Sequence, residues 1–423
     1  MKNILRAALL VLLLAELSVL QAQTPACPAV KTPAKVVVPC GQTCTTLTAT
    51  ATPALATTSY TVNPITYNPT FAFNSGTPIS FVAPVDDRWS GIVNLPFTFC
   101  FFGIPYNQVV VGSNGVVSFN AAALANTDQS WEIPAGGLPY NFFPDEDEVN
   151  TIMAPWQDMD PTDSGVVYYA SSGVAPCRQF AISWYRVAMF GDPNSRNTDF
   201  CTTPDFQTQQ VVLYETSNII DINIQNKQTL CNNLHNTDHG SFPTGYWNNG
   251  WAVEGIQNAA GTVAYTVPGR NATQWTATND AYRFSPSGAS SVTYTWFSGA
   301  TKLGTADTLK VCPLTTTTYT VNAIYTNCDQ SSYTATATTQ VTIDNLSVKI
   351  DSIHNPSCGN DNGAVFASYS SNSGIVSFGW SPGGGGDTSL TKLGAGTYIF
   401  TVVDSGGCSK SDTVHLINSS PPV

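Results

Sequence analysis

The sequence predicts an all-β protein, with a large β-sandwich N-terminal domain followed by two small Ig-like β-sandwich modules. Three observations carry this. Charged residues make up only 10% of the chain, while Thr, Ser, Gly, Asn, Val and Tyr abound, a composition of strands and turns. Apolar residues recur with a period of two between turn signals. At 423 residues the chain exceeds what one hydrophobic core usually supports, so two or three domains are expected.

Residues 1–22 read as a secretory signal peptide: Lys2 and Arg6 precede the apolar run Ala7 to Ala15, and Ala22 offers a small-residue cleavage position. That run is too short to span a bilayer, and no stretch of about twenty apolar residues follows. Cys27 lies too far downstream for a lipoprotein box. The formal charge of −12 becomes about −13 once Lys2, Arg6 and Glu16 leave, which disfavours nucleic acid as a partner. Export makes the eleven cysteines disulfide candidates.

Residues 23–48 form a Pro- and Cys-rich leader, expected to be extended and clamped by a short disulfide. Residues 49–286 carry repeated strand signals. In VVVGSNGVVSFN, Asn114-Gly115 separates two β-rich runs, a strong hairpin signal. In NIIDINIQ, Ile220, Ile222 and Ile224 alternate with Asp221, Asn223 and Gln225, so one face should be buried and the other wet. SPSGASS reads as a linker into a module at 287–345, where Trp296 is expected on the core. A further module at 346–418 restarts the rhythm before a tail at 419–423. Sequence proximity suggests the pairs Cys100 with Cys177, Cys201 with Cys231, Cys312 with Cys328, and Cys358 with Cys408. Cys27, Cys40 and Cys44 then remain as an odd set.

IMAPWQDMDPTDSGVVYYA, FQTQQVVLYETSNIIDINI and WNNGWAVEGIQN resemble the nidogen-like extracellular domain. VDDRWSGIVNLPFTFCFFGIPYNQVVVGSNGVVSFN and GRNATQWTATNDAYRF resemble the form of it found in large secreted proteins of gliding bacteria. The module at 287–345 is similar to Ig/PKD-like domains. The last module is similar to the SprB-type repeat of gliding-motility adhesins, through Cys358, Asn362-Gly363, Trp380, Leu393-Gly-Ala-Gly-Thr-Tyr398 and Gly406-Gly407-Cys408. Such proteins usually continue into a C-terminal sorting domain. The chain stops at INSSPPV, so either a fragment or another export route is expected.

Several motifs carry chemistry. Asp158, Asp160 and Asp163 crowd one turn-rich segment. An EF-hand would need Gly where Asp163 stands and Glu where Tyr169 stands, so that loop is excluded. An irregular calcium cage remains open beside a solvated turn in which Asp side chains cap the backbone. A glycosidase would need two facing carboxyls, one with a raised pKa. Asp87, Asp158, Glu215 and Glu254 are available, with nothing in the sequence to pair them.

PDEDEVN reads as a solvated loop. GWSPG imitates a nucleophile elbow, but Pro382 and the glycines after Ser381 forbid the helix that elbow needs. Cys231, His235 and His239 stand at i, i+4 and i+8, yet lie in an Asn/Gly/Pro-rich stretch without the zincin Glu. Tyr246, Trp247 and Trp251, in a long unpatterned loop, are ligand-contact candidates able to stack on sugar rings, or else to cover the sandwich end.

The expected function is a non-catalytic, secreted, cell-surface adhesin or structural protein, with the resemblance implying a tie to gliding. It would use no cofactor beyond calcium, and its partners would be surface or matrix proteins or glycans. The rival is a secreted carbohydrate-active hydrolase whose site lies in the N-terminal domain.

Overall fold

The computed structural model describes residues 27–38, 41–83, 85–134, 136–140, 148–190, 206–228, 251–357, 359–383 and 386–419. It is built almost wholly of β-strands, with one four-residue helix among the described residues, Ala121–Leu124. The chain divides into two compact units.

The first unit comprises Met1–Ala29, Thr52–Val292 and Tyr325–Thr334. Its centre is a two-layer sandwich. One sheet runs in the order Ala264–Thr266, Trp251–Gln257, Thr151–Trp156, Val116–Ser118, Ile104–Val111, Val93–Phe101. The other runs Tyr60–Pro64, Ala277–Pro286, Ile220–Lys227, Phe206–Tyr214, Gln179–Met189, Val166–Ser172, Thr77–Pro78. Between them Phe99, Phe101, Val111 and Ile152 of the first sheet meet Ile182, Trp184, Leu213 and Ile222 of the second, all closed to solvent.

Trp89, Val110, Val116, Met153, Trp156 and Val253 make a second core with Ala121, Leu124, Ile133 and Leu138. The middle of the first sheet, Val116–Ser118 and Thr151–Trp156, is therefore buried on both faces and reads as near-continuous apolar runs, while the strand Ile104–Val111, nearer the edge, is exposed over most of its first half.

The Asn114-Gly115 hairpin forms where expected, with Val111 opposite Val117. Gly115 sits at φ 80°, and a Cβ there would lie 2.0 Å from the Pro155 carbonyl oxygen, so only glycine fits. The alternation in 220–225 holds on one face only. Asp221 and Asn223, expected wet, are 3% and 4% exposed. Burial there is tolerated because the Arg283 guanidinium donates to both Asp221 oxygens at 2.7 and 2.8 Å, and the Tyr214 hydroxyl donates at 2.9 Å.

The second unit comprises Val30–Ala51, Thr293–Ile324 and Ala335–Val423. The short disulfide expected to clamp the leader is corrected here, since Cys27 and Cys44 bond Cys177 and Cys312 instead. Lys35–Val38 pairs in parallel with Gln340–Ile343, and Thr45–Thr48 pairs with Thr308–Val311, so the segment completes strands far along the chain. A β-branched run such as KVVV has backbone donors and acceptors to satisfy and finds no partner near itself. The last module is a sandwich of two three-stranded sheets, closed over Val365, Trp380, Phe400 and Val402. Ser381 ends the strand Ile375–Ser381, so GWSPG is no elbow.

The disulfides also differ from the proximity pairing. Cys100 bonds Cys328, Cys177 bonds Cys27, and Cys312 bonds Cys44, closing loops of 228, 150 and 268 residues. Pairing by proximity assumes local closure, whereas strand packing brings distant segments side by side. Cys408 is disulfide-bonded. Cys40, Cys201, Cys231 and Cys358 lie outside the described residues, as does the signal peptide.

Candidate functional site

Three loops of the first unit converge on one acidic basin. The first is the turn at Asp86-Asp87, the second the hairpin 112–115, and the third the segment after strand Thr151–Trp156, which carries Asp158, Asp160 and Asp163. Asn114 ties them together. Its amide Nδ2 donates to Asp87 Oδ1 at 2.8 Å, its Oδ1 accepts from Met159 N–H at 2.8 Å, and its own N–H donates to Gln129 Oε1 at 3.0 Å. The same hairpin receives Arg88 N–H on Ser113 Oγ at 3.0 Å and Trp184 Nε1–H on the Gly112 carbonyl at 2.9 Å. The loops are thus pinned to the core from both layers.

The basin is short of positive charge. Asp158 and Asp160 are each 7% exposed. Among the described residues, none of Asp86, Asp87, Asp158 and Asp160 pairs with an Arg or Lys. The nearby guanidinium of Arg88 goes to Asp128 instead. Asp160 Oδ1 accepts the Thr162 N–H at 2.7 Å and hydroxyl at 2.5 Å, a turn-capping arrangement.

Asp158 is different: no described residue donates a hydrogen bond to its carboxylate. Burial, then the charges of Asp87, Asp86 and Asp160, hold its pKa well above the usual range. Burial and the Asp87 charge push Asp86 up to about 8, and one Asp86 oxygen is sealed without a partner. Burial pushes Asp87 up to about 6, against the opposing hydrogen bond from Asn114. Such a set stores electrostatic strain that a hard cation with oxygen preference would relieve.

The other sequence candidates separate. Glu215 is gripped by Arg178, and Glu254 by Arg270 at 2.6 Å, so neither joins Asp87 and Asp158. Trp251 begins the strand Trp251–Gln257 opposite Gln274 and packs against the second core, instead of standing in a loop. Tyr246, Trp247, His235 and His239 lie outside the described residues, as does most of PDEDEVN. A described cleft of about 810 Å³ is lined by Asn94, Thr98, Tyr106, Asn107, Gln108 and Arg178 among others, and no carboxylate lines it.

Two features escaped the sequence reading. Asp86 stands some seventy residues before Asp158, and only its twin acid beside Arg88-Trp89 marked it. The second is a buried charge cluster in which Lys227 and Glu254, both closed to solvent, flank Arg270. Arg270 also pairs with Asp280 and lies over Trp275 and Tyr282.

The profile of the NIDO-related family matches residues 59–286, the span of this sandwich and its loops. The chain belongs to the NIDO-related family. It is similar to alpha-tectorin of Mus musculus and of Homo sapiens, in each case 34% identical over 86 residues. That segment is 20% of this chain and 3% of either relative, so the chain spans a small part of their length.

Among solved structures it is similar to the fibronectin(III)-like modules of Clostridium thermocellum CbhA, with TM-score 0.17 and 15% identity, covering 30% of this chain and 78% of that one. It is also similar to the amphioxus IgVJ-C2 molecule, with TM-score 0.19 and 13% identity over 30% and 87% of the two chains. The all-β architecture stands on the strand pairing itself. Family and disulfides together mark an extracellular, structural type of protein.

Proposed function

We propose that this is a secreted, cell-surface-associated, non-catalytic adhesive protein whose NIDO-related domain makes its contacts through loops set by a calcium ion in the acidic basin. The observation that carries the reading is Asp158: a carboxylate 7% exposed, with no donor among the described residues, near enough to Asp87, Asp86 and Asp160 for their charges to raise its pKa. Calcium accepts six to eight oxygens in irregular geometry, and carboxylates from two loops with Asn114 between them suit it. The ion would fix the three loops relative to one another, and the outer surface of those loops would meet surface or matrix proteins or glycans. The small modules, read as an Ig/PKD-like domain and an SprB-type repeat of the kind seen in gliding adhesins, serve as disulfide-closed spacers.

Glu215 and Glu254 are each engaged by an arginine, which leaves Asp87 and Asp158 as the carboxyls a hydrolase would have to use. The test is retention of cells or matrix glycans on beads carrying the full chain. Retention in calcium and release in chelator is expected. Soluble sugar released from polysaccharide, without retention, would instead favour the hydrolase.

A further inference from the structure

We propose an acidic-glycan site on the second sheet, where the guanidinium of Arg186 receives the carboxylate of a uronic-acid sugar. Two β-bulges in line make the site. The pairing of Gln179–Met189 with Phe206–Tyr214 shifts register between Trp184 and Val187, so Tyr185 and Arg186 together face Thr208. The pairing of Phe206–Tyr214 with Ile220–Lys227 shifts between Thr208 and Gln209, which leaves Gln225 as the extra residue. Bulges bend a strand and re-aim its side chains. Here they open a cleft of about 410 Å³ at Thr208, lined by both Arg186 and Gln225.

The backbone at Arg186 is fixed from both sides. It stands at φ 51°, and its N–H donates to Thr208 Oγ1 at 3.1 Å. Its carbonyl accepts the Ser164 hydroxyl at 3.3 Å, and Gly165 packs so close that a Cβ there would lie 2.4 Å from the same oxygen. A non-glycine residue in the left-handed region persists only where its surroundings hold it. The guanidinium lies over the Phe206 ring, 4.3 Å from its centroid, which limits its freedom before a ligand arrives. Arg186 is also the exception among the five described arginines. Arg88, Arg178, Arg270 and Arg283 each grip a carboxylate, while Arg186 is exposed and has none among the described residues. In a chain with 28 acidic residues against 16 basic ones, an arginine without an acid is the unexpected case.

The lining chooses the ligand. Among the described residues neither an acid nor a lysine lines the cleft. One planar guanidinium matches one carboxylate through two parallel N–H donors, whereas a cluster of sulfates or phosphates would call for several cations. Around it stand amides. Asn226 Nδ2 donates to the Phe206 carbonyl at 2.6 Å, and Gln228 Nε2 donates to Asn226 Oδ1 at 2.6 Å, so both side chains are oriented in advance. The Gln228 side-chain oxygen and the exposed Gln225 amide are left for ring hydroxyls. A carboxylate flanked by hydroxyls on one ring is a uronic acid; an acidic peptide offers the carboxylate without the hydroxyls. The site names a partner class for the adhesive reading, on which the choice of a glycan rests, and it uses neither calcium nor the basin.

Calorimetric titration of the full chain in chelator decides it, with three probes: an oligogalacturonide, the same sugar after reduction of its carboxyls to alcohols, and a polyglutamate peptide. The oligogalacturonide alone should bind. Arg186→Gln should weaken that binding about tenfold or more. Arg186→Lys, which keeps the charge and loses the fork, should fall between, and Gln225→Ala should weaken the sugar with Arg186 intact. All three variants should melt with the parent, because both side chains are exposed. No binding of the oligogalacturonide, equal binding by Arg186→Gln, or either other probe bound as tightly would overturn the proposal. If the oligogalacturonide fails while beads still retain cells in calcium, this site falls and the adhesive reading stands; if retention fails as well, both fall.

Discussion

Asn114 donates from its side-chain amide to the Asp87 carboxylate at 2.8 Å, while the same side chain accepts the Met159 N–H. One neutral amide therefore couples the loop before the first sheet to the loop after its central strand. Asn114 is closed to solvent, so these bonds have no water to replace them.

Asn114→Leu removes both bonds and leaves the buried Met159 N–H and a partly buried Asp87 oxygen without that partner. Each orphaned group costs about 1–3 kcal/mol, so a loss of about 2–6 kcal/mol is expected in urea unfolding. Asn114→Asp restores the acceptor but adds a negative charge beside Asp87. It should be destabilised in chelator and partly rescued by calcium.

The buried cluster at Lys227 gives a pH signature. Burial pushes Glu254 from its ordinary 4.5 up to about 7, so the folded chain holds an extra proton across that interval and stability falls as pH rises from about 4.5 to 7. Burial, aided by Arg270, pushes Lys227 from 10.5 down to about 7, so the unfolded chain holds the extra proton and stability rises from about pH 7 to 10.5. For these two groups the minimum lies near neutrality. Melting temperature measured across pH should show Glu254→Gln flattening the acid limb, by roughly 3 kcal/mol, and Lys227→Met flattening the alkaline one.

The Cys100–Cys328 bond ties the turn 325–334 to the strand Val93–Phe101 within the first unit. Replacing both cysteines with serine should lower stability by about 2–4 kcal/mol, chiefly by freeing the unfolded chain. Hydrogen exchange should then rise first in residues 325–334. Equal protection in parent and variant would show that the bond is dispensable.

The sandwich was legible in the sequence wherever one rule sufficed. The Asn114-Gly115 turn needs a residue free of Cβ at φ 80°, and Ile220, Ile222 and Ile224 mark their face by alternation. What the sequence hid depends on distance along the chain. The partners of Lys35–Val38 lie some three hundred residues away, and those of Cys27 and Cys44 lie 150 and 268 residues away. Local spacing carries no information on such closures. Half of the basin was visible, as Asp158 and Asp160 in one turn. Asp86 and Asp87 joined it only through the packing of a separate loop. The burial of Asp221 was illegible because its answering charge, Arg283, sits on a neighbouring strand.

The most direct test of the basin is calorimetric calcium titration of the full chain, compared with the same chain carrying Asp158→Asn. One equivalent of calcium, bound by the first protein and lost in the second, is the expected result. At a calcium concentration of 100 times Kd the first should also gain about 2.7 kcal/mol of stability, and the second none. Identical titrations, or no binding heat and no stabilisation in either chain, would contradict the account and return Asp158 to the role of a buried, protonated acid in a loop that binds no cation.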